Sequence, residues 1–209
     1  EALIVPKDSP LQTVAELKGK QVALNKGSNV HYLLVRALEK AGLRYSDIKP
    51  VFLPPADARA AFERGSVDAW AIWDPFYAAA ELQLGARRLV DGQGLVANHN
   101  FYLAARPYAE QNPAVLKTTL QAIAEVGAWV VANPVEAAGI LAQQTGLAAQ
   151  IIEHGIRRSD YGVQPINAQV AAEQQKIADV FHELKLIPKP IRIADALWRA
   201  GREGEAAGI

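Results

Sequence analysis

Between Gln21 and Asp91, short apolar runs alternate with stretches of helical periodicity, and this alternation narrows the possible folds of the 209-residue sequence more than any other feature. Val22-Ala23-Leu24 precedes Val30, Leu34, Ala37, Leu38 and Ala41 at helical spacing. Ile48 to Leu53 precedes Ala58, Ala61 and Phe62, and Asp68 to Trp73 precedes a helix opened by Asp74-Pro75 and stopped at Gly85. Leu89-Val90 is the core of a fourth short strand. Strands and helices alternating through short loops imply a parallel sheet covered on both faces, because parallel neighbours need crossovers.

The flanks read differently. Ala2-Leu3-Ile4-Val5 is a strand ended by Pro6, and Thr13 with Glu16 forms a capping box for a short helix that Gly19 stops. After Gly92-Gln93-Gly94, Phe101 to Ala105 reads as a strand, and everything beyond it is helical. Asn112-Pro113 and Asn133-Pro134 open two helices, and another follows Asn167. Leu116, Leu120, Ile123, Gly127, Val130 and Val131 form one apolar stripe, and Val170, Ile177, Phe181 and Leu184 another. These stripes need a sheet, and the strands of the alternating region already have helices of their own. A second α/β lobe is therefore expected, with its strands ahead of Glu1. The expected division is a crossing strand over 1–6, a parallel α/β lobe over 7–99, and a return strand with C-terminal helices over 100–209 completing the other lobe. No methionine occurs, even at position 1, so Glu1 is not the expected translation start.

The 22 basic and 22 acidic residues balance, which excludes the basic field that nucleic acid or an anionic membrane surface requires. No cysteine is present, so disulfides, thiolate metal sites and cysteine nucleophiles are excluded. No apolar run approaches the roughly 20 residues of a membrane span, so no span is expected, and no leader pattern opens the chain. Phosphate-loop, nucleophile-elbow, zinc-protease and calcium-loop patterns are absent, and the four histidines lack metal-ligand spacing. Neither a cofactor, a metal nor a catalytic set is expected.

Small polar and aromatic groups collect instead in three loops at the carboxyl ends of strands, where open α/β sheets bind ligands. These are Gly27-Ser28-Asn29, Trp73-Asp74-Pro75 and Asn98-His99-Asn100. A strand feeding a helix through Gly27-Ser28 leaves the first helical N–H groups pointing above the sheet, an arrangement suited to an anion, while Ser28 also fits an ordinary helix cap. His31 falls in the first turn of that helix. Asp74 reads chiefly as a cap and Trp73 as a core aromatic. Together they make a shallow cup suited to binding rather than bond-breaking.

The runs Val5 to Pro10, Leu17 to Lys20 with Val22 to Asn29, Leu53 to Phe62, Asp68 to Phe76 and Asn100 to Ala104 closely resemble the aliphatic sulfonate-binding proteins of bacterial ABC importers. The resemblance covers nearly the whole chain in order. It implies a type II periplasmic-binding-protein-like fold, with two α/β lobes joined by crossing strands and lobe 1 incomplete in this chain. It implies a periplasmic receptor, its signal peptide removed, that closes by a hinge motion on an alkanesulfonate and delivers it to a permease in the inner membrane. By the same resemblance Ser28 and Asn29 hold sulfonate oxygens with the helix N-terminus, Trp73 and Asp74 sit at the cleft wall, and Asn98 and Asn100 line the hinge side; Gly27 and His31, from the same turn, complete the expected ligand-binding set. Taurine- and nitrate-type receptors, and the effector-binding domain of LysR-type regulators, remain alternatives.

Overall fold

The structure, a computed structural model, describes residues 1–198. It divides into two units. The first comprises Glu1–Asn98 with Thr145–Gly155, and the second comprises His99–Gln144 with the chain from Ile156 onward.

The first unit is built on five strands, β1 (Ala2–Val5), β2 (Gln21–Leu24), β3 (Lys49–Phe52), β4 (Ala69–Ile72) and β5 (Arg87–Asp91), in the order β3-β2-β4-β1-β5. Its helices are α1 (Asn29–Lys40), α2 (Pro55–Glu63) and α3 (Phe76–Leu84). β2 pairs in parallel with both β3 and β4, as the alternating pattern requires. β1, expected as a strand crossing from the other lobe, lies inside this sheet and runs antiparallel to β4 and β5, so β5, expected in a parallel lobe, has an antiparallel neighbour. A strand buried on both faces reads as an unbroken apolar run whichever way it points, so Ala2–Val5 could not disclose its direction.

Side chains alternate between two cores. Leu3, Val5, Val22, Leu24, Ala69 and Ala71 pack with Val30, Leu34 and Leu38 of α1 on one face. Ala2, Ile4, Ala23, Trp70 and Ile72 pack with Ala58, Ala61 and Phe62 of α2 and Tyr77 and Ala80 of α3 on the other. The chain therefore leaves β2 over one face towards β3 and returns over the other face to β4. That reversal opens a crevice above the carboxyl ends of β2 and β4. Ala2 lies opposite both Ile72 and Asp91, so Glu1 enters the sheet at this same edge.

The sequence reading assigned residues 145–155 to the C-terminal helical part, but they belong to the first unit. Here α7 (Ala149–Arg157), which follows α4 to α6 defined below, sets Ile151 on Ala78 and Ala79 of α3 and brings His154 Nε2 within 3.3 Å of Glu81 Oε2.

The second unit is helical, with α4 (Arg106–Gln111), α5 (Pro113–Ala132), α6 (Pro134–Thr145) up to Gln144, and α8 (Ala168–Glu183). Both Asn-Pro helix starts and the start after Asn167 fall where the sequence places them, and Asn167 Oδ1 accepts the N–H of Val170. The expected return strand at Phe101–Ala105 is absent. The segment has no strand pairing, with Tyr102 61% and Leu103 92% exposed. A strand exists only where a neighbour pairs its backbone groups, and the described part of this unit contains no sheet. None of the twenty residues of α5 is buried. With a mean hydropathy of 1.2, α5 also meets the length and composition of a membrane span, contrary to the expectation that no run approaches one; Lys117 and Glu125 make it a marginal one. Residues 199–209, the end of the expected C-terminal region, lie outside the described residues.

Candidate functional site

The loop from β2 to α1 turns at Gly27, whose φ of +73° is the left-handed conformation that a side chain disfavours. The turn points the first N–H groups of α1 out above the sheet edge, but the bonds around it differ from those expected. Ser28 occupies the cap position in extended conformation, yet its hydroxyl caps nothing. It donates to the carbonyl of Asn25 at 2.7 Å and so closes the loop on itself. The N–H of Gly27 donates inward to His31 Nδ1 at 3.0 Å. Asn29 donates its side-chain amide to Glu1 Oε2 at 2.6 Å and to Asn98 Oδ1 at 3.3 Å.

Several of the groups that the sequence reading offered to an anion are thus already engaged within the protein. The Ser28 hydroxyl, the Gly27 N–H and the two hydrogens of the Asn29 amide each hold the loop in place. Among the described residues, the main-chain N–H groups of Asn29 and Val30 have no acceptor. They carry the partial positive charge of the helix start. The sequence reading offered the first main-chain N–H groups of this helix to an anion but did not name Val30 among the candidates. Helix phasing from Ser28 as cap was the signal available for finding it.

His31 is 1% exposed and stands beneath the loop rather than in the crevice. Its ring lies 5.1 Å from Tyr45 and 5.8 Å from Phe52, centroid to centroid. Burial, reinforced by the charge of Lys26, lowers its pKa to about 4, so it is neutral near pH 7 and can accept the Gly27 N–H. Burial likewise pushes Tyr45 up to about 12. The Lys26 ammonium rests 5.4 Å from the centre of the Phe52 ring.

Across the crevice, Asp74 Oδ1 accepts the N–H of Ala78 at 3.0 Å. Its reading as a cap holds, although α3 begins two residues later at Phe76. Gly155 packs on it, and a Cβ there would lie 3.3 Å from that of Asp74. Trp73 is half-buried, touches both cores and meets Phe76 edge-on with centroids 6.5 Å apart. It supplies the apolar wall at the end of β4.

Glu1 was overlooked because a residue at the start of a strand carries no motif. One carboxylate oxygen accepts from Asn29, while Oε1 is enclosed without a hydrogen-bond partner. Burial raises its pKa, against the opposing pull of the Asn29 bond. Asn98 closes this edge of the first unit in a left-handed conformation, φ +51°. Asn100 belongs to the second unit, in the exposed segment after His99.

These features define an α/β unit of the doubly wound type, with a strand-edge crevice furnished with main-chain donors and an aromatic wall. The chain belongs to the NMT1/THI5-like family, which it matches over residues 1–137. It is 48% identical over 95% of its length to an aliphatic sulfonates-binding protein of Escherichia coli, and spans 63% of that relative. Its fold matches the crystal structure of the periplasmic aliphatic sulphonate binding protein SsuA from Escherichia coli with a TM-score of 0.91 at 46% identity, covering 100% of this chain and 68% of that one. The alkanesulfonate-binding protein SsuA from Xanthomonas axonopodis pv. citri, solved bound to MOPS, matches with a TM-score of 0.87 at 42% identity, over 96% of this chain and 70% of that one.

Proposed function

We propose that the protein to which this chain belongs is a periplasmic receptor that captures aliphatic sulfonates and hands them to an ABC permease in the inner membrane, without catalysing a reaction. The observation that carries this reading is the likeness to sulfonate-binding proteins at 42–48% identity, continuous over at least 95% of the chain. The site chemistry agrees with it. A sulfonate is ionised at every physiological pH, so it requires fixed donors and no proton exchange. Main-chain N–H groups at a helix start are such donors, and the apolar face of Trp73 suits an alkyl chain. His31 is neutral and turned inward, and Asp74 caps the start of α3.

In this reading Asn29 and Val30 bind the sulfonate through the main chain, Ser28, Gly27 and His31 shape the loop, Trp73 lines the wall, and Asn98 closes the edge of the first unit. Further walls of the site come from sequence outside this chain. Supporting this are the share of the relatives that the chain spans and the exposure of α5, whose apolar stripe suits a sheet.

Calorimetry on the full-length protein tests the assignment, using pentanesulfonate, taurine, nitrate and hexanoate. The expected result is tight binding of pentanesulfonate, at least tenfold weaker binding of the others, and no turnover; the 209-residue chain alone binds far more weakly. Preference for nitrate or hexanoate, or chemical conversion of the sulfonate, contradicts it.

A further inference from the structure

We propose that Asn29 is a positioning residue rather than a ligand contact. Its amide clasps Glu1 and Asn98, and so ties two distant points of the chain to the first residue of the anion-binding helix. The inference rests on the sulfonate-binding reading above only for the role of that helix.

A side-chain amide nitrogen has two hydrogens, and both are engaged, one by Glu1 Oε2 at 2.6 Å and one by Asn98 Oδ1 at 3.3 Å. The opposite amide orientation would set Asn29 Oδ1 against the Glu1 carboxylate, oxygen against oxygen, so the charge of Glu1 fixes which way the amide lies. Asn29 therefore has no hydrogen left for a sulfonate oxygen, and only its main-chain N–H faces that task.

The clasp joins elements far apart in sequence. Glu1 immediately precedes β1, in the interior of the sheet, and Asn98 is the last residue of the first unit before the chain passes to the second. The turn after β5 closes over Glu1 as well. A Cβ at Gly92 would lie 3.2 Å from Val96 Cγ2, 3.4 Å from Glu1 Oε1 and 3.6 Å from Glu1 Cγ, so this turn lies against the Glu1 side chain. Enclosed in this way, Glu1 has the Asn29 amide as its side-chain hydrogen-bond donor, and losing that donor would leave a shielded carboxylate unsatisfied. The other acidic groups on neighbouring elements are directed elsewhere, Asp91 to Arg88 and Asp74 to the Ala78 N–H. An anion held at the Asn29 and Val30 N–H groups thus sits on a residue whose side chain fixes the segment leading out of the unit.

The test exchanges donor and acceptor in the full-length protein. Asn29→Asp opposes two carboxylates, Glu1→Gln alone keeps an acceptor for Asn29, and the double variant restores one donor and one acceptor at unchanged net charge. The expected result is at least tenfold faster hydrogen exchange of ligand-free amides 92–98 in N29D, near-normal exchange in E1Q, and recovery in E1Q/N29D. Pentanesulfonate affinity follows the same order. If Asn29 instead donates to the ligand, N29D loses affinity without faster exchange at 92–98 and E1Q/N29D does not regain it, which overturns the proposal. If N29D does not fold, N29A decides: faster exchange at 92–98 with α3 still protected supports the clasp, and unchanged exchange overturns it. Exchange is read without ligand, so a failure of the sulfonate reading leaves this result interpretable.

Discussion

His31 shows how far a residue's chemistry depends on where its neighbours put it. The sequence places it in the first turn of a helix with a candidate anion site, where a histidine ordinarily suggests a ligand or a proton carrier. Packed against Tyr45 and Phe52, it is instead a neutral acceptor that keeps the Gly27 N–H turned inward. Its pKa is near 6.5 in the unfolded chain and about 4 when folded, so between these values the unfolded chain binds the extra proton. Stability therefore falls as pH falls through this window, and the histidine adds no further loss once both states are protonated. From pH 7 to 5.5 the cost is about 1 kcal/mol. Urea titrations of the parent protein and His31→Gln at the two pH values measure it. The loss should be smaller by about that amount in the variant, and equal losses would show that His31 titrates normally.

At the scale of elements, the β2–α1 loop was legible in outline and misread in detail. The turn at Gly27, the helix start at Asn29 and the stop near Gly42 follow from residue types and periodicity, and all are present. Which hydrogen bonds the loop makes does not follow, because a serine at a cap position either accepts from the helix or donates backwards, and only the folded geometry selects. The Ser28 hydroxyl donates to Asn25, so Ser28→Ala removes a loop closure and not a ligand contact. The expected loss in sulfonate affinity is about 1 kcal/mol, against roughly 1.5–3 for a hydrogen bond lost to a charged group, and calorimetry separates the two. The strand calls show the same limit. Buried β1 and unpaired Phe101–Ala105 are equally apolar as sequence, and what distinguishes them is the presence of neighbours whose backbone groups can pair.

At the scale of the whole chain, the alternating pattern disclosed the α/β unit and the edge at which its candidate site lies. It did so because crossover connections require strands and helices to alternate, whatever the details of packing. The contributors to the site were less legible. Glu1 lies outside every motif, and the return of residues 145–155 to pack on α3 is a long-range contact with no local signal. The apolar stripe of α5 was legible as a surface in need of cover, and it remains exposed in the second unit.

The central claim is that sulfonate binding by this protein uses main-chain N–H groups at the start of α1. Amide NMR of the isotope-labelled full-length protein, titrated with pentanesulfonate, tests it most directly. Binding should move the Asn29 and Val30 amide protons downfield, saturating with the calorimetric affinity, while the Gly27 amide, held by His31, shifts little. Saturable binding that leaves the Asn29 and Val30 amides unmoved would contradict the account.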